Sequence, residues 1–312
     1  MLINMRVDMQ KCAILTMDCL DDFEAYDHLI EPPLKVLGWQ VEMVSWRKAE
    51  VDWNAFNAVI IRSPWDYQED ATKFLQVLTN IENSTAQLEN SLAIVRWNID
   101  KLYLKELEQA GVTIVPTIWH EKLKGQVLDQ HFLTECCEHL GQQQFVLKPR
   151  ISANADNTFW LNSKTIQQNL PVMSEAFAQR DFMIQPFMGS IIVEGEYSLF
   201  YFNGRYSHTI LKTPKANDFR VQEEHGGCLK TVEPETTLLE HAKLAMQAIN
   251  NIHETPLYAR VDFVRHEKGF ALMEAELIEP SLYFNMDNQS PQRFAQAFNE
   301  RMQTATKNAK LT

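Results

Sequence analysis

Residues 271–280, ALMEAELIEP, place three glutamates inside a run that otherwise has the character of a buried strand. Strand side chains alternate between two faces, so Glu274 and Glu276 share one face, and the neighbouring alanine, methionine and leucine side chains share the other. Two like charges side by side repel each other, and burying either one alone is costly. The stretch therefore predicts either a solvated acidic face or a site where a cation lies between the two glutamates.

The same stretch forms the second strand of a predicted hairpin, whose first strand, LYARVDFVRH, spans residues 257–266. If the turn consists of residues 267–269, with Gly269 in the left-handed conformation, Asp262 stands opposite Glu274 on the same face. A turn of even length places Asp262 on the opposite face. One turn length therefore brings together Asp262, Glu274 and Glu276, three carboxylates suited to a hard cation such as magnesium.

The composition limits the classes of function. The chain has 312 residues, 45% of them hydrophobic, with a net charge of -12 and a pI near 5.3, typical of a soluble globular protein. The negative charge argues against non-specific nucleic-acid or membrane-surface binding. Its five cysteines match no zinc pattern, so we expect free thiols and a cytoplasmic location. No signal peptide or membrane-spanning run is predicted.

The order of predicted elements changes along the chain. Up to residue 97, apolar strands alternate with helices, which is typical of a parallel α/β domain. Ligands of such domains lie beyond the carboxyl ends of the strands, and RSPWDY (62–67) occupies that position. Later segments add hairpins, one with Asn203 and Gly204 at its turn. We expect an α/β chain with α+β character in its C-terminal half.

Taken in order, the motifs NIDK, FVLKP, MIQPF, GEYS, FR…GG, ARVDF and MEAE resemble those of ATP-grasp enzymes. The resemblance covers most of the chain and is strongest over 98–288. The most similar branch contains prokaryotic glutathione synthetases and ribosomal-protein glutamate ligases. It implies an N-terminal parallel α/β domain (1–97), a linker helix with a lid sub-domain (98–184), and a C-terminal antiparallel-sheet sub-domain with a metal site (185–312). The chain has no GxxxxGK[ST] phosphate loop.

The resemblance implies a nucleotide site. It places Lys101 and Lys148 on the ATP phosphates, and Glu196 on the ribose hydroxyls, with Glu194 as the competing candidate. The residues implied to line the purine are Gln185, Pro186, Phe187 and Met188. One departure is the loop after Lys148, RISANADNTFW, which contains no glycine where the family is glycine-rich.

The resemblance also implies catalytic and metal residues. Arg220 meets the transferred phosphate, and Lys212 adds positive charge, as a guanidinium and an ammonium are suited to do. Asp262, Glu274 and Glu276 hold two magnesium ions, with manganese as the alternative. Here the chain has Glu-x-Glu where the family has Glu-x-Asn.

The implied function is an ATP-dependent carboxylate–amine ligase that acts through an acyl-phosphate on an amino acid or short peptide. The alternatives are a phosphotransferase of the same fold and a non-catalytic nucleotide-binding regulator. Arg62 either binds a substrate carboxylate or pairs with Asp66. RSPWDY and IEPSLYF resemble a sub-branch that includes a cyclo-ligase of antibiotic biosynthesis. Because dimers and tetramers are frequent in the family, a homo-oligomer is one expectation. The candidate substrate residues are Arg62, Trp65, Asp66, Glu279, Ser281 and Tyr283.

Overall fold

The computed structural model describes residues 9–309 except 22, 126–127, 154, 217 and 268, with side chains given only as far as residue 305. Within these residues the chain forms three sheets. The first is parallel and the other two are antiparallel. The fold class predicted from the sequence is confirmed.

The first sheet has the strand order β2-β1-β3-β4. Its central strands are continuous apolar runs because helices cover both faces of a parallel sheet. Prolines at the start of α1 fix backbone φ angles suited to the first helical turn. The elements of this part are β1 (Gln10–Thr16), α1 (Glu31–Val36), β2 (Trp39–Ser45), β3 (Ala58–Ser63), α2 (Ala71–Glu82), β4 (Gln87–Glu89) and α3 (Leu92–Asn98), with 3-10 turns at Tyr26–Ile30, Trp53–Ala55 and Tyr67–Glu69.

The second sheet has the order β5-β8-β6-β7. Its buried face packs against α5 and α6 around Phe145, Phe177 and Phe182. Asp129 caps α5 by accepting a hydrogen bond from the backbone N–H of Phe132, and Gly141 ends it with a positive φ. The elements are α4 (Tyr103–Gln109), β5 (Ile118–His120), α5 (Gln130–Leu140), β6 (Gln144–Pro149), β7 (Phe159–Asn162), α6 (Ile166–Phe177) and β8 (Phe182–Pro186).

The third sheet has the order β11-β10-β9-β12-β13. Asn203 and Gly204 both have positive φ, as a two-residue hairpin turn requires, so the predicted turn between β9 and β10 is confirmed. Helix α8 packs on β12 and β13, and α9 contacts β9, β10 and α1. The elements are α7 (Ser190–Val193), β9 (Glu196–Phe202), β10 (Arg205–Thr213), a 3-10 turn (Glu223–His225), β11 (Cys228–Thr231), α8 (Thr236–Ile252), β12 (Tyr258–His266), β13 (Gly269–Glu276) and α9 (Ser290–Ala309).

The hairpin of β12 and β13 corrects the sequence analysis. His266 pairs with Gly269, so the turn holds two residues rather than three, and Lys268 lies outside the described residues. A register shift follows between Asp262 and Phe263: Phe263 pairs with Leu272 and Asp262 with Glu274. Met273 is therefore the extra residue of a β-bulge, which restores the predicted pairing of Asp262 with Glu274.

Two buried asparagines join the first sheet to the third. Asn98 donates to the Ala275 carbonyl at 2.8 Å and accepts from the Leu277 N–H at 2.9 Å. Asn90 donates to the carbonyls of Tyr258 and Leu277 at 2.9 and 2.7 Å. Asn98 is the last residue of α3. Its amide satisfies backbone groups that would otherwise be buried without partners.

Among the described residues, no helix combines the length and apolar character that crossing a bilayer requires.

We predict an acid-sensitive contribution to stability from His208. Its imidazole is 3% exposed and stacks on Phe200 with ring centroids 4.2 Å apart. Burial lowers its pKa from 6.5 to about 4, so the unfolded chain binds this proton first. The free energy of unfolding should therefore fall as the pH drops from 6.5 towards 4, by up to about 3 kcal/mol from this group.

The measurement is urea unfolding of the wild type and of His208→Gln between pH 7 and pH 4.5. The variant should lose less stability than the wild type over this interval. Parallel pH profiles would contradict the assignment.

Candidate active site

A cavity of about 210 Å³ lies where the three sheets meet. Its walls come from the loop after β3, the segment between α3 and α4, the ends of β6 and β8, the loop between β10 and β11, and β12, β13 and the chain after β13. It brings together most of the site residues predicted from the sequence. Those lining it are Trp65, Lys101, Lys148, Gln185, Pro186, Phe187, Met188, Glu196, Lys212, Arg220, Glu274, Glu276, Glu279, Ser281 and Tyr283.

Arginine and lysine side chains compensate the acidic face of β12 and β13. The Arg260 guanidinium bonds Asp262, with Nη2 to Oδ2 at 3.0 Å, and also bonds Glu276. Lys101 Nζ lies 2.9 Å from Glu274 Oε1. Asp262 also accepts from Ser198 at 2.5 Å. The sequence predicted either a solvated acidic face or a cation site at residues 271–280. The structure has cations on this face, and they are the Arg260 guanidinium and the Lys101 ammonium.

Arg260 was missing from the predicted site. It lines the cavity and is 8% exposed. The sequence did contain a signal for it, because Arg260 lies two residues before Asp262 on the same strand and so shares its face.

The three predicted metal ligands share one face, but each is paired with a cation. Among the residues that the structure describes, no group of three histidine, cysteine or acidic side chains is gathered closely enough to hold a metal ion. The assignment of Asp262, Glu274 and Glu276 as magnesium ligands stays a prediction, and in this structure their partners are side-chain cations. The chemistry still suits magnesium, because the ligand atoms are carboxylate oxygens. Burial, together with repulsion from Glu274 and Asp262, raises the pKa of Glu276 to about 8, so a further cation would be favoured here.

Two lysines meet at the inner end of the cavity. Lys101 donates to the Ser152 carbonyl at 2.8 Å and pairs with Glu274. Lys148 is at the end of β6, and burial together with the charge of Lys101 lowers its pKa. In the described part of the chain, no hydrogen bond or ion pair engages the Lys148 ammonium. Glu274 attracts this half-buried ammonium, but none of the described residues forms a hydrogen bond or ion pair with it, which favours an anionic ligand at this point.

The glycine-poor loop after Lys148 folds over the cavity, which Ser152, Ala155 and Thr158 line. Ala155 and Asn157 have φ values of +56° and +48°, the conformation that glycine adopts without strain. Arg180 holds the loop by donating to the Ile151 carbonyl at 3.0 Å and to Asp156 at 3.1 Å. Asn154 lies outside the described residues. The loop thus takes up left-handed positions without glycine.

The purine slot, which we define as Gln185, Pro186, Phe187 and Met188, lies where β8 ends. Gln185 is held in place because its side-chain amide donates to Thr117 Oγ1 at 3.0 Å. Phe187 stacks against Trp160 with ring centroids 4.4 Å apart. The slot therefore has one fixed polar wall and one aromatic wall.

The two glutamates that competed for the ribose occupy different places. Glu196 lines the cavity and pairs with Lys212, with Nζ 2.5 Å from Oε1. Glu194 does not line it; its carboxylate accepts from Arg265 at 2.7 Å and from the Tyr197 hydroxyl at 2.8 Å. These contacts hold the pKa of Glu194 below its ordinary value. The geometry favours Glu196.

Arg62 and Asp66, both predicted to contact substrate, do not line the cavity. Arg62 is 1% exposed and donates to Asp27 at 3.0 Å and to the Pro280 carbonyl at 2.8 Å. Asp66 accepts from Trp46 at 2.6 Å and from Arg47 at 2.7 Å. Both readings of Arg62 are therefore wrong: it neither reaches the cavity nor pairs with Asp66. It ties β3 to the segment after β13.

The opposite wall of the cavity is aromatic and acidic. Trp65 donates to the Glu279 carbonyl at 2.8 Å. Burial raises the pKa of the Glu279 carboxyl to about 7, and the nearby Tyr67 hydroxyl and Lys101 ammonium oppose this shift. Tyr283 reaches the cavity from a backbone with φ +44°, a strained conformation for a residue with a side chain. Strain of this kind is found where a side chain is held for function.

Comparison with known proteins identifies relatives of the whole chain. Residues 12–90 match the family model of the D-cycloserine synthetase DcsG N-terminal domain. The cycloserine biosynthesis protein DcsG of Streptomyces lavendulae is 29% identical over 294 residues, which is 87% of this chain and 93% of that protein.

Solved structures extend the comparison. The crystal structure of D-cycloserine synthetase DcsG has a TM-score of 0.83 and 25% identity, covering 94% of this chain and 99% of that one. D-alanine–D-alanine ligase from Bacillus anthracis, solved with ATP, has a TM-score of 0.70 at 14% identity, covering 96% and 99%. The second likeness shows the fold alone. The first agrees with the sub-branch that RSPWDY and IEPSLYF resemble.

We predict that Lys148→Met separates binding from folding. Removing an ammonium without a partner should leave the free energy of unfolding unchanged or raise it by about 1 kcal/mol. Affinity for ATP should fall by about tenfold or more, because a charge-assisted phosphate contact is lost. Thermal unfolding and calorimetric titration measure the two quantities.

Lys164→Met, on an exposed turn, is the matched control and should change neither. Unaltered ATP affinity in Lys148→Met would contradict a phosphate contact at Lys148.

Proposed function

We propose how this chain, whose fold and structural neighbours are those of the ATP-grasp superfamily, carries out ligation. It is an ATP-dependent ligase that forms C–N bonds. A substrate carboxylate attacks the γ-phosphate of ATP to give an acyl-phosphate and ADP. An amine then attacks the acyl carbon, and phosphate leaves. Phosphoryl transfer of this kind depends on positioning and charge neutralisation more than on covalent help from the protein.

The observation that carries this proposal is the Lys148 ammonium, half-buried at the inner end of the cavity, which Glu274 attracts but which has no hydrogen bond or ion pair among the described residues. A triphosphate supplies the missing anion. Lys101 lies beside it, and the loop that Lys101 holds through the Ser152 carbonyl covers the same point. Phosphate at this position stands between the purine slot and the acidic face.

Each wall then has a role. The purine slot holds the base, and Glu196 accepts hydrogen bonds from the ribose hydroxyls. Arg220 and Lys212 stabilise negative charge that develops on the transferred phosphoryl group. Asp262, Glu274 and Glu276 would hold magnesium, which supplies charge neutralisation at the phosphates when bound. Binding it requires Arg260 and Lys101 to share their carboxylates with the ion.

We propose that the substrate is a small amino-acid derivative. One short wall of the cavity is aromatic and acidic, which suits a substrate with an ammonium group. It is formed by Trp65, Tyr67, Glu279, Ser281 and Tyr283. Likeness to a cycloserine synthetase over nearly the whole chain favours a second, narrower candidate: ring closure, in which carboxylate and amine belong to one molecule.

Two rival functions make different predictions. A phosphotransferase yields ADP and a phosphorylated product without free phosphate. A non-catalytic regulator binds ATP and releases nothing. The ligase is favoured over both because one cavity is lined by Lys101, Lys148, Lys212, Arg220, Glu274 and Glu276.

We further propose a cytoplasmic location and a homo-oligomeric state. The location is supported by the free thiols of Cys12, Cys136, Cys137 and Cys228, of which Cys228 is exposed. The oligomer is supported only by the frequency of dimers and tetramers in the superfamily.

We predict that Glu274→Gln abolishes substrate-dependent phosphate release from Mg-ATP, by roughly 100-fold or more, because it removes a charge needed at the phosphates. Release is measured against pools of amino acids and small carboxylates. Glu240→Gln on the exposed face of α8 is the control and should keep full activity.

The active pool is then divided to identify the substrate, and the molecular mass of the product is measured. Ring closure gives a product lighter than a single substrate by one water, whereas joining two molecules gives their sum less one water. Phosphate release that persists in Glu274→Gln would contradict the assignment of the acidic face.

We also predict that Glu196→Gln weakens ATP binding several-fold, the scale of one charge-assisted hydrogen bond, whereas Glu194→Gln does not. Calorimetric titration of both variants with ATP decides between them. The opposite order would return the ribose contact to Glu194.

A further inference from the structure

The two neighbours of Arg220 pack into the walls of the purine slot. On one side, the Phe219 ring lies 5.5 Å from Trp160 at 60° and 6.4 Å from Phe187 at 83°. Trp160 in turn stacks on Phe187. We call Trp160, Phe187 and Phe219 the aromatic clasp. Its members come from β7, the end of β8 and the loop between β10 and β11.

On the other side, Val221 is 4% exposed and belongs to a small core with Val115 and Ile191. Met188 of the purine slot and Met273 of the bulge pack against the same core. Phe219 thus contacts Phe187 of the slot, and Val221 belongs to the core against which Met188 of the slot packs.

The loop backbone fits this docking closely. A Cβ at Gly227 would lie 2.0 Å from the Val221 carbonyl oxygen, so the chain returns directly against Val221 and only glycine fits there. Arg220 itself is partly exposed, and its guanidinium bonds Asp218 at 2.9 Å. Its own contacts within the described residues are therefore local, and its position over the cavity depends on Phe219 and Val221.

We propose that Phe219 is a positioning residue that couples the occupied purine slot to the placement of Arg220. The proposal rests on the proposed function, since it takes the slot to bind an adenine base. A base seated against Phe187 fixes that ring, and Phe187 fixes Trp160 and Phe219 through the clasp. The loop then holds Arg220 at the phosphates more firmly when the nucleotide is bound than when it is absent.

The first test is kinetic. Phe219→Ala should lower kcat for phosphate release by roughly tenfold, the scale of the aromatic contacts it removes, and change the ATP dissociation constant less than about threefold. Phe219→Tyr, which keeps the ring, should retain activity. In an Arg220→Ala background, Phe219→Ala should have little further effect, because Phe219 acts through Arg220. Equal losses in both backgrounds would overturn the proposal.

The second test does not depend on catalysis. Trypsin cleaves after Arg220, and mass spectrometry measures the rate of that cut. Phe219→Ala should speed cleavage without ligand, because the loop is no longer docked. A non-hydrolysable adenine nucleotide should slow cleavage of the wild type, and inorganic tripolyphosphate, which lacks a base, should not.

The outcomes separate the two proposals. Equal cleavage of wild type and Phe219→Ala overturns the clasp, whatever the ligase activity. Equal protection by nucleotide and tripolyphosphate also overturns it, because protection then comes from phosphate contact alone. A wild type that is inactive with every pool, yet is protected by nucleotide only, would overturn the ligase assignment and leave the clasp supported.

Discussion

The Arg260 guanidinium lies between Asp262 and Glu276, and the site is arranged around this ion pair. Without Arg260, the adjacent strands β12 and β13 would bury the carboxylates of Asp262 and Glu276 on one face with no compensating positive charge. Lys101 does the same for Glu274, and Lys212 for Glu196. Buried pairs of this kind add little net stability, but removing one partner leaves a charge that is costly to keep buried. The charges that suit the cavity to a nucleotide therefore also fix the strands, the linker and the loop over it.

Hydrogen bonds from side chains to backbone groups join the first sheet to this network of ion pairs. Asn90 and Asn98 satisfy the edge of β13, and Arg62 holds the Pro280 carbonyl. The Tyr258 hydroxyl lies 2.9 Å from the carbonyl of Ile278. As a result, Trp65 and Glu279, which come from different parts of the chain, form one wall. This aromatic and acidic wall of the cavity is part of the joint between two sheets, so the shape of the wall and the packing of the two sheets depend on the same contacts.

Sequence reasoning predicted what local pattern determines. The acidic face was predicted because strand side chains alternate, whereas Lys148 was singled out by the resemblance of FVLKP to a family motif. Arg62 was misplaced because its partner, Asp27, is 35 positions away and no local pattern indicates it. The role of Asn98 was not predicted, because its partners Ala275 and Leu277 lie nearly 180 residues further along the chain. Arg260 shares a strand face with Asp262, but the predicted site did not include it as the charge that compensates the carboxylates.

The hairpin of β12 and β13 shows where reasoning from the alternation of strand side chains fails. A β-bulge shifts that alternation by one residue, and no sequence pattern indicates the bulge. The turn of the hairpin is one residue shorter than expected, and Met273 restores the pairing of Asp262 with Glu274. This has a consequence for how such proteins diverge. A homologue that gains a residue in the turn keeps its acidic face only by losing the bulge, so insertions and deletions at these two points should be inherited in pairs. An alignment that treats each gap separately would misplace Asp262 or Glu274 in every such relative.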